Sequence, residues 1–204
     1  MLISFLEEIS MEEKATVDKY KNKIITIPNL MSMLRICMIP LIAWLYLGPK
    51  NYLWAAILIV ISGITDVLDG MIARKFNMKS EVGKVLDPFA DKATQLAMIL
   101  LLITRFPLLI MPFIVSVIKE TFMAVTGYMV IKKRGIVMGA DWHGKAATVV
   151  VSATIFLHFL WFSITPIVSN ITAILCTIMI TLSLILYAIR NFGYLMGKEG
   201  KKQY

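Results

Sequence analysis

Six apolar stretches, at about 27–47, 53–72, 85–104, 108–131, 146–164 and 167–189, occupy most of this 204-residue chain. Each is close to the ~20 residues an α-helix needs to cross roughly 30 Å of hydrocarbon. A soluble domain of this length does not call for 58% hydrophobic residues, and runs this long are not strands. The expected fold is therefore an all-α integral membrane protein with six transmembrane helices. No internal repeat or low-complexity segment interrupts the pattern.

The formal charge of +8 does not point to nucleic acid, because the basic residues follow the loops and form no single stripe. Lys14, Lys19, Lys21 and Lys23 precede the first stretch. Arg74, Lys75, Lys79 and Lys84 lie between the second and third, Lys132, Lys133 and Arg134 between the fourth and fifth, and Lys198, Lys201 and Lys202 close the chain. The opposite loops hold only Lys50 and Arg105. By the positive-inside rule both termini face the cytoplasm of a multi-pass cell-membrane protein, and so does the loop after the second helix. Membrane lipids are the partners this charge suits.

Residues 24–195 form the six-helix domain in this reading, with 196–204 as a basic cytoplasmic tail. Leu2, Phe5, Leu6 and Ile9 share one helical face, so residues 1–23 are expected to be an amphipathic juxtamembrane segment. Glu7, Glu8, Glu12 and Glu13 argue against a secretory leader there. Thr26, Ile27 and Pro28 read as a helix start, and Gly48 with Pro49 as its end. Residues 74–82 read as a polar turn in which Ser80 caps the third helix, and Thr165-Pro166 as the turn between the last two. Pro88 predicts a local bend inside the third helix. Cys37 and Cys176, without metal-like spacing, are read as small core residues, and His158 as a satisfied core histidine.

Four aspartates gather where the second and third helices meet the cytoplasm. Asp66, Asp69, Gly70 and Ala73 are spaced i, i+3, i+4, i+7, and Gly83, Asp87 and Asp91 follow at i, i+4, i+8. Each set shares one helical face. Two antiparallel helices joined by a short turn would aim four carboxylates at one another, at a cost of roughly 2.5–3.5 kcal/mol each at a helix centre in a bilayer. A cation offsets that cost, and hard divalent ions such as Mg²⁺ or Mn²⁺ take oxygen ligands of this kind. The small residues on the same faces leave a polar cavity into which a phosphate ligand can fit.

The pattern D-x-x-D-G-x-x-A-R, eight residues, G-x-x-x-D-x-x-x-D, running from Asp66 to Asp91, resembles the signature of the CDP-alcohol phosphotransferases, and the chain matches all eight fixed positions. The entry Ile27-Pro28-Asn29-Leu30 and the following Leu34-Arg35 are similar to the phosphatidylglycerophosphate synthase and cardiolipin synthase branch. The resemblance implies transfer of a phosphatidyl group from CDP-diacylglycerol to an acceptor alcohol, with release of CMP, by a homodimer. Carried over residue by residue, it implies that Asp66, Asp69 and Asp87 hold the metals, two ions in number. Asp91 ligates as well, or removes the acceptor's proton as the catalytic base. Asn29, Asp66, Asp69, Gly70, Ala73, Arg74 and Gly83 contact the CDP moiety. A pair of metals clamping a pyrophosphate beside a carboxylate base is also the arrangement that the chemistry itself favours.

The acceptor is less constrained. Lys119-Glu120 stands where the compared phosphatidylglycerophosphate synthases carry Arg-Glu, and their later arginine is replaced near Gly127. Lys119, Lys132, Lys133, Arg134 and Lys145 are the cations that would bind an anionic acceptor, lysine supplying charge without arginine's bidentate fork. Glycerol 3-phosphate is the first choice; phosphatidylglycerol, giving cardiolipin, is the alternative. Outside the enzyme class, a divalent-cation transporter would explain the carboxylates but not Arg74 or the glycine spacing. A membrane prenyltransferase would place its two Asp-rich motifs far apart in a longer chain.

Overall fold

The computed structural model describes residues 26–75, 83–135, 139 and 141–196. Within them run six long helices and no strand: α1 (Ile27–Leu47), α2 (Tyr52–Lys75), α3 (Gly83–Ile103), α4 (Ile110–Arg134), α5 (Trp142–Leu160) and α6 (Pro166–Met196). A 3₁₀ turn, Pro107–Leu109, leads into α4. The expected amphipathic segment, Ser80 and the basic tail after Met196 lie outside the described residues.

Five of the helical segments are long and apolar enough to cross a membrane, as an all-α integral membrane protein requires. The exception is α3. Its first half carries Lys84, Asp87, Asp91 and Lys92, so the helix expected as the third span is the one whose apolar character is interrupted by the motif itself. Elsewhere large apolar side chains such as Trp44, Ile64, Ile118, Val149 and Ile178 are exposed, a surface suited to lipid and not to water.

The chain divides into two compact units, residues 1–97 and 98–204. In the first, α1 packs along α2. The buried face of α1 is Asn29, Ser32, Arg35, Met38, Ile42 and Tyr46, a helical stripe that is polar at its start and apolar at its end. Ala55, Ala56 and Ile59 of α2 are buried in the same unit, and the rings of Tyr46 and Tyr52 meet edge to face at 5.1 Å.

In the second unit α6 packs against both α4 and α5. Its buried seam, Ser169, Ala173, Cys176, Ile180, Ser183, Tyr187 and Asn191, is rich in small residues that let helices approach closely in a bilayer. Gly135, with φ of 67°, ends α4 in the left-handed region, its N–H returning to the carbonyl of Ile131 at 2.8 Å.

Local signals were read correctly at most ends. Thr26 caps α1, accepting from the Asn29 N–H at 3.4 Å, and Thr165 accepts from the Val168 N–H at 3.4 Å to start α6. The helix of α3 passes through Pro88 without interruption. Two readings change. The fifth helix begins at Trp142 and stops at Leu160, four residues earlier at each end than expected, because the polar block after Asp141 is its first turn and the Asp141 carbonyl accepts from the Lys145 N–H at 3.1 Å. Cys37 is exposed on α1 and does not belong to the core, whereas Cys176 is buried; the α1 stripe passes through Arg35 and Met38 and leaves position 37 outside.

Candidate functional site

A buried arginine in an apolar helix requires anionic partners, and the polar end of α1 supplies one. Arg35 Nη1 lies 2.6 Å from Oδ1 of Asp66 on α2 and also bonds Oδ1 of Asp91 on α3. One turn earlier, Ser32 Oγ donates to Oδ1 of Asp87 at 2.6 Å. Among the described side chains, the motif carboxylates Asp66, Asp87 and Asp91 are thus tied to two residues spaced i, i+3 on a single face of α1. Charge-assisted bonds of this kind fix carboxylate orientation more strongly than neutral ones.

Burial is divided unevenly within the cluster. The Arg35 side chain is 3% exposed, against 47% for Asp66 and 45% for Asp91. The cation lies beneath and the carboxylates keep close to half their surface accessible to a ligand. Their hard oxygen donors, gathered from two helices on one cationic nitrogen, are the set that Mg²⁺ or Mn²⁺ prefers. Among the described residues no three acidic, histidine or cysteine side chains meet in a finished metal cage.

The remaining motif residues have their places on the same elements. Asp69, Gly70, Ala73 and Arg74 follow Asp66 along the unbroken α2, so the i, i+3, i+4, i+7 register is realised. A Cβ added at Gly70 would meet nothing within 4 Å, so the space inferred beside the carboxylates exists at that position. Gly83 opens α3 and is buried. Asn29 is 1% exposed at the first turn of α1.

The proposed acceptor cations belong to the second unit and differ among themselves. Lys119 is buried and pairs with Glu120 at 3.0 Å, Lys133 Nζ donates to the carbonyl of Leu195 at 3.2 Å, Lys132 and Lys145 are exposed, and Arg134 is the last residue of α4.

Sequence reasoning missed a second polar cluster in that unit. Arg190 Nη1 reaches Asp141 Oδ2 at 2.7 Å and the Gly139 carbonyl at 3.0 Å. His143 is buried: Nε2 donates to Asp141 Oδ2 at 3.2 Å, and Nδ1 lies 3.3 Å from Ser183 Oγ. Tyr187 accepts from the Asp141 N–H at 3.1 Å, and its ring lies under Gly144 so closely that an added Cβ would fall 2.0 Å from the hydroxyl. The signal in the sequence is an arginine directly after the last apolar run and the block Asp141-Trp142-His143-Gly144, whose residues meet Arg190 only in three dimensions. His158, by contrast, behaves as read: Nδ1 donates to the Thr154 carbonyl at 2.8 Å, and Nε2 accepts from Ser169 at 3.0 Å.

Comparison with known proteins bears on the first cluster. A family model described as CDP-alcohol phosphatidyltransferase matches residues 25–189. A CDP-diacylglycerol–glycerol-3-phosphate 3-phosphatidyltransferase of Bacillus subtilis is 32% identical over 156 residues, covering 68% of this chain and 80% of that protein. One of the same name from Aquifex aeolicus is 28% identical over 172 residues, covering 81% and 96%. A CMP-forming cardiolipin synthase of Streptomyces coelicolor is 42% identical over 76 residues, and that match spans only 35% of each chain.

Proposed function

Because the chain belongs to the CDP-alcohol phosphatidyltransferase family, we propose that it transfers the phosphatidyl group of CDP-diacylglycerol to an acceptor alcohol and releases CMP. The observation that carries this reading is the gathering of Asp66, Asp87 and Asp91, from α2 and α3, on the Ser32–Arg35 face of α1. Enzymes of this family generally depend on a divalent metal. Asp66, Asp69, Asp87 and Asp91 are the residues that would hold it, as one or two ions of Mg²⁺ or Mn²⁺. When bound, the metal supplies the charge that clamps a pyrophosphate and offsets the negative charge on departing CMP.

The protein's own residues do the rest. Asp91 accepts the acceptor's hydroxyl proton while that oxygen forms a bond to the phosphatidyl phosphorus and the bond from phosphorus to the CMP oxygen breaks. Asn29, Gly70, Ala73, Arg74 and Gly83 line the nucleotide's place, the open space at Gly70 allowing close approach to the backbone. The loop charges support a cytoplasmic site in the cell membrane with both termini on that side, where a soluble cytidine nucleotide can leave. The family resemblance supports a homodimer.

Glycerol 3-phosphate is the acceptor this reading favours, giving phosphatidylglycerol phosphate. The relatives that align over most of both chains are named for it, and Lys119, Lys132, Lys133, Arg134 and Lys145 are the cations proposed to recognise its phosphate. A second reading, phosphatidylglycerol as acceptor and cardiolipin as product, draws on the stretch 42% identical to the Streptomyces coelicolor enzyme and on the missing second arginine near Gly127. Purified protein given CDP-diacylglycerol, Mn²⁺ and each acceptor in turn separates them by product mass. Phosphatidylglycerol phosphate supports the first reading. Cardiolipin from added phosphatidylglycerol, with no product from glycerol 3-phosphate, overturns it in favour of the second.

A further inference from the structure

Arg35 has no role in the chemistry described so far, yet it is far more deeply buried than the two carboxylates it touches, Asp66 and Asp91. Its side chain is 3% exposed, and one nitrogen, Nη1, is shared between Asp66 Oδ1 and Asp91 Oδ1. The two carboxylates come from different helices, α2 and α3, so the guanidinium is the charge that lets them approach each other. Ser32, on the same α1 face, holds Asp87 by a hydroxyl-to-carboxylate bond at 2.6 Å, without supplying a charge of its own. Without a positive charge at this place three aspartates would repel across a region flanked by apolar helix, where charge interactions are poorly screened.

We propose that Arg35 is a built-in counterion of the aspartate site: a positioning residue that holds Asp66 and Asp91 together and competes with a divalent cation for their oxygens, so setting how tightly the metal binds and how readily it exchanges. The competition follows from charge and place. A divalent ion that takes Asp66 Oδ1 or Asp91 Oδ1 has to share or displace the guanidinium bond, and an ion on the other carboxylate oxygens still meets a fixed positive neighbour. Arginine suits this task because its charge cannot be lost by deprotonation and its fork can bridge two carboxylates. The proposal rests on the metal-site reading above.

The test is Mn²⁺ binding to the full-length protein in detergent, by calorimetry or by the loss of the free-ion paramagnetic resonance signal. Thermal midpoints are measured alongside, in chelator and in saturating Mn²⁺. Arg35→Gln is expected to bind Mn²⁺ about five- to tenfold more tightly than wild type, to melt lower in chelator, and to gain more from added Mn²⁺. Arg35→Lys, which keeps the charge, is expected to stay near the wild-type affinity. A residue that served only packing would lower the melting point without tightening the metal. If Arg35→Gln can be isolated only with Mn²⁺ present, that dependence itself supports the proposal. Unchanged or weaker Mn²⁺ binding in Arg35→Gln overturns it, as does equally tight binding in Arg35→Gln and Arg35→Lys. Absence of Mn²⁺ binding by the wild type overturns the metal-site reading and this proposal together.

Discussion

The two units each contain an arginine paired with aspartate, buried in the first and only partly covered in the second. In the first, Arg35 is nearly sealed while its partners Asp66 and Asp91 remain close to half exposed. In the second, Arg190 and Asp141 are both partly covered, and Asp141 is bonded as well to His143 and Tyr187, with Ser183 on the far side of His143. A cluster whose cation and anion are both partly covered and bonded to neighbouring helices holds those helices together, whereas one that buries its cation and leaves its anions accessible keeps binding capacity in reserve. Exposure of the anions, more than the presence of charge, separates the two clusters, and it is the feature on which the proposed site rests.

The sharpest way to break this contrast is to neutralise the accessible carboxylates. Asp66→Asn or Asp87→Asn is expected to lower CMP release by at least about a hundredfold, the upper range seen when even outer partners of a metal are lost, with a melting point that changes little. Near-normal turnover in the Asp87 variant at ordinary metal concentration would remove Asp87 from the site. Asp91→Asn should cut turnover to a similar extent while keeping much of the affinity for CDP-diacylglycerol, because its proposed task is proton removal. Binding and turnover that fall in parallel would make Asp91 chiefly a metal ligand.

In the second unit the expected effects fall on stability. Gly144→Ala sets a methyl 2.0 Å from the Tyr187 hydroxyl, an overpacking that costs about 1–3 kcal/mol, and the melting point should drop while metal affinity stays as in wild type. Relief in Gly144→Ala combined with Tyr187→Leu would confirm the clash as the cause, and a tolerated Gly144→Ala alone would show the helices can slide apart there. The smallest effect is expected at exposed Lys145. Lys145→Ala should raise the apparent KM for glycerol 3-phosphate about tenfold or less, with little change for CDP-diacylglycerol and a weaker salt dependence. An unchanged KM would leave Lys145 as an ordinary loop charge.

The bounds of α1 were legible to the residue because breakers and caps frame it: Thr26 and Pro28 at one end, Gly48 and Pro49 at the other. The fifth helix was misplaced for the complementary reason. Residues 161–164 are apolar enough to continue a span but turn instead, while Trp142 to Lys145 look like a loop and form helix. Apolar composition reports where a segment prefers to be, not which backbone conformation it takes. The same limit applied to the sites. The aspartates were readable because their spacing falls on two helical faces. Arg35 is legible only as part of a family pattern, since its partners lie on other helices, and the Asp141–Arg190 pair, separated by 49 positions, shows as a polar block and an arginine with nothing local to join them. The third helix is legible as an apolar run but falls short of a membrane span in composition, because Lys84, Asp87, Asp91 and Lys92 interrupt its first half.

The central claim, that the accessible carboxylates of the first unit form a metal-dependent phosphatidyl-transfer centre, is tested most directly by following CMP release from CDP-diacylglycerol by the purified protein with glycerol 3-phosphate present, first in chelator and then as Mn²⁺ is restored. The account predicts no release in chelator and, on restoring the ion, one CMP for each new phosphatidyl product. Release that persists in chelator, or ion flux into liposomes with no CMP formed under any condition, would contradict it.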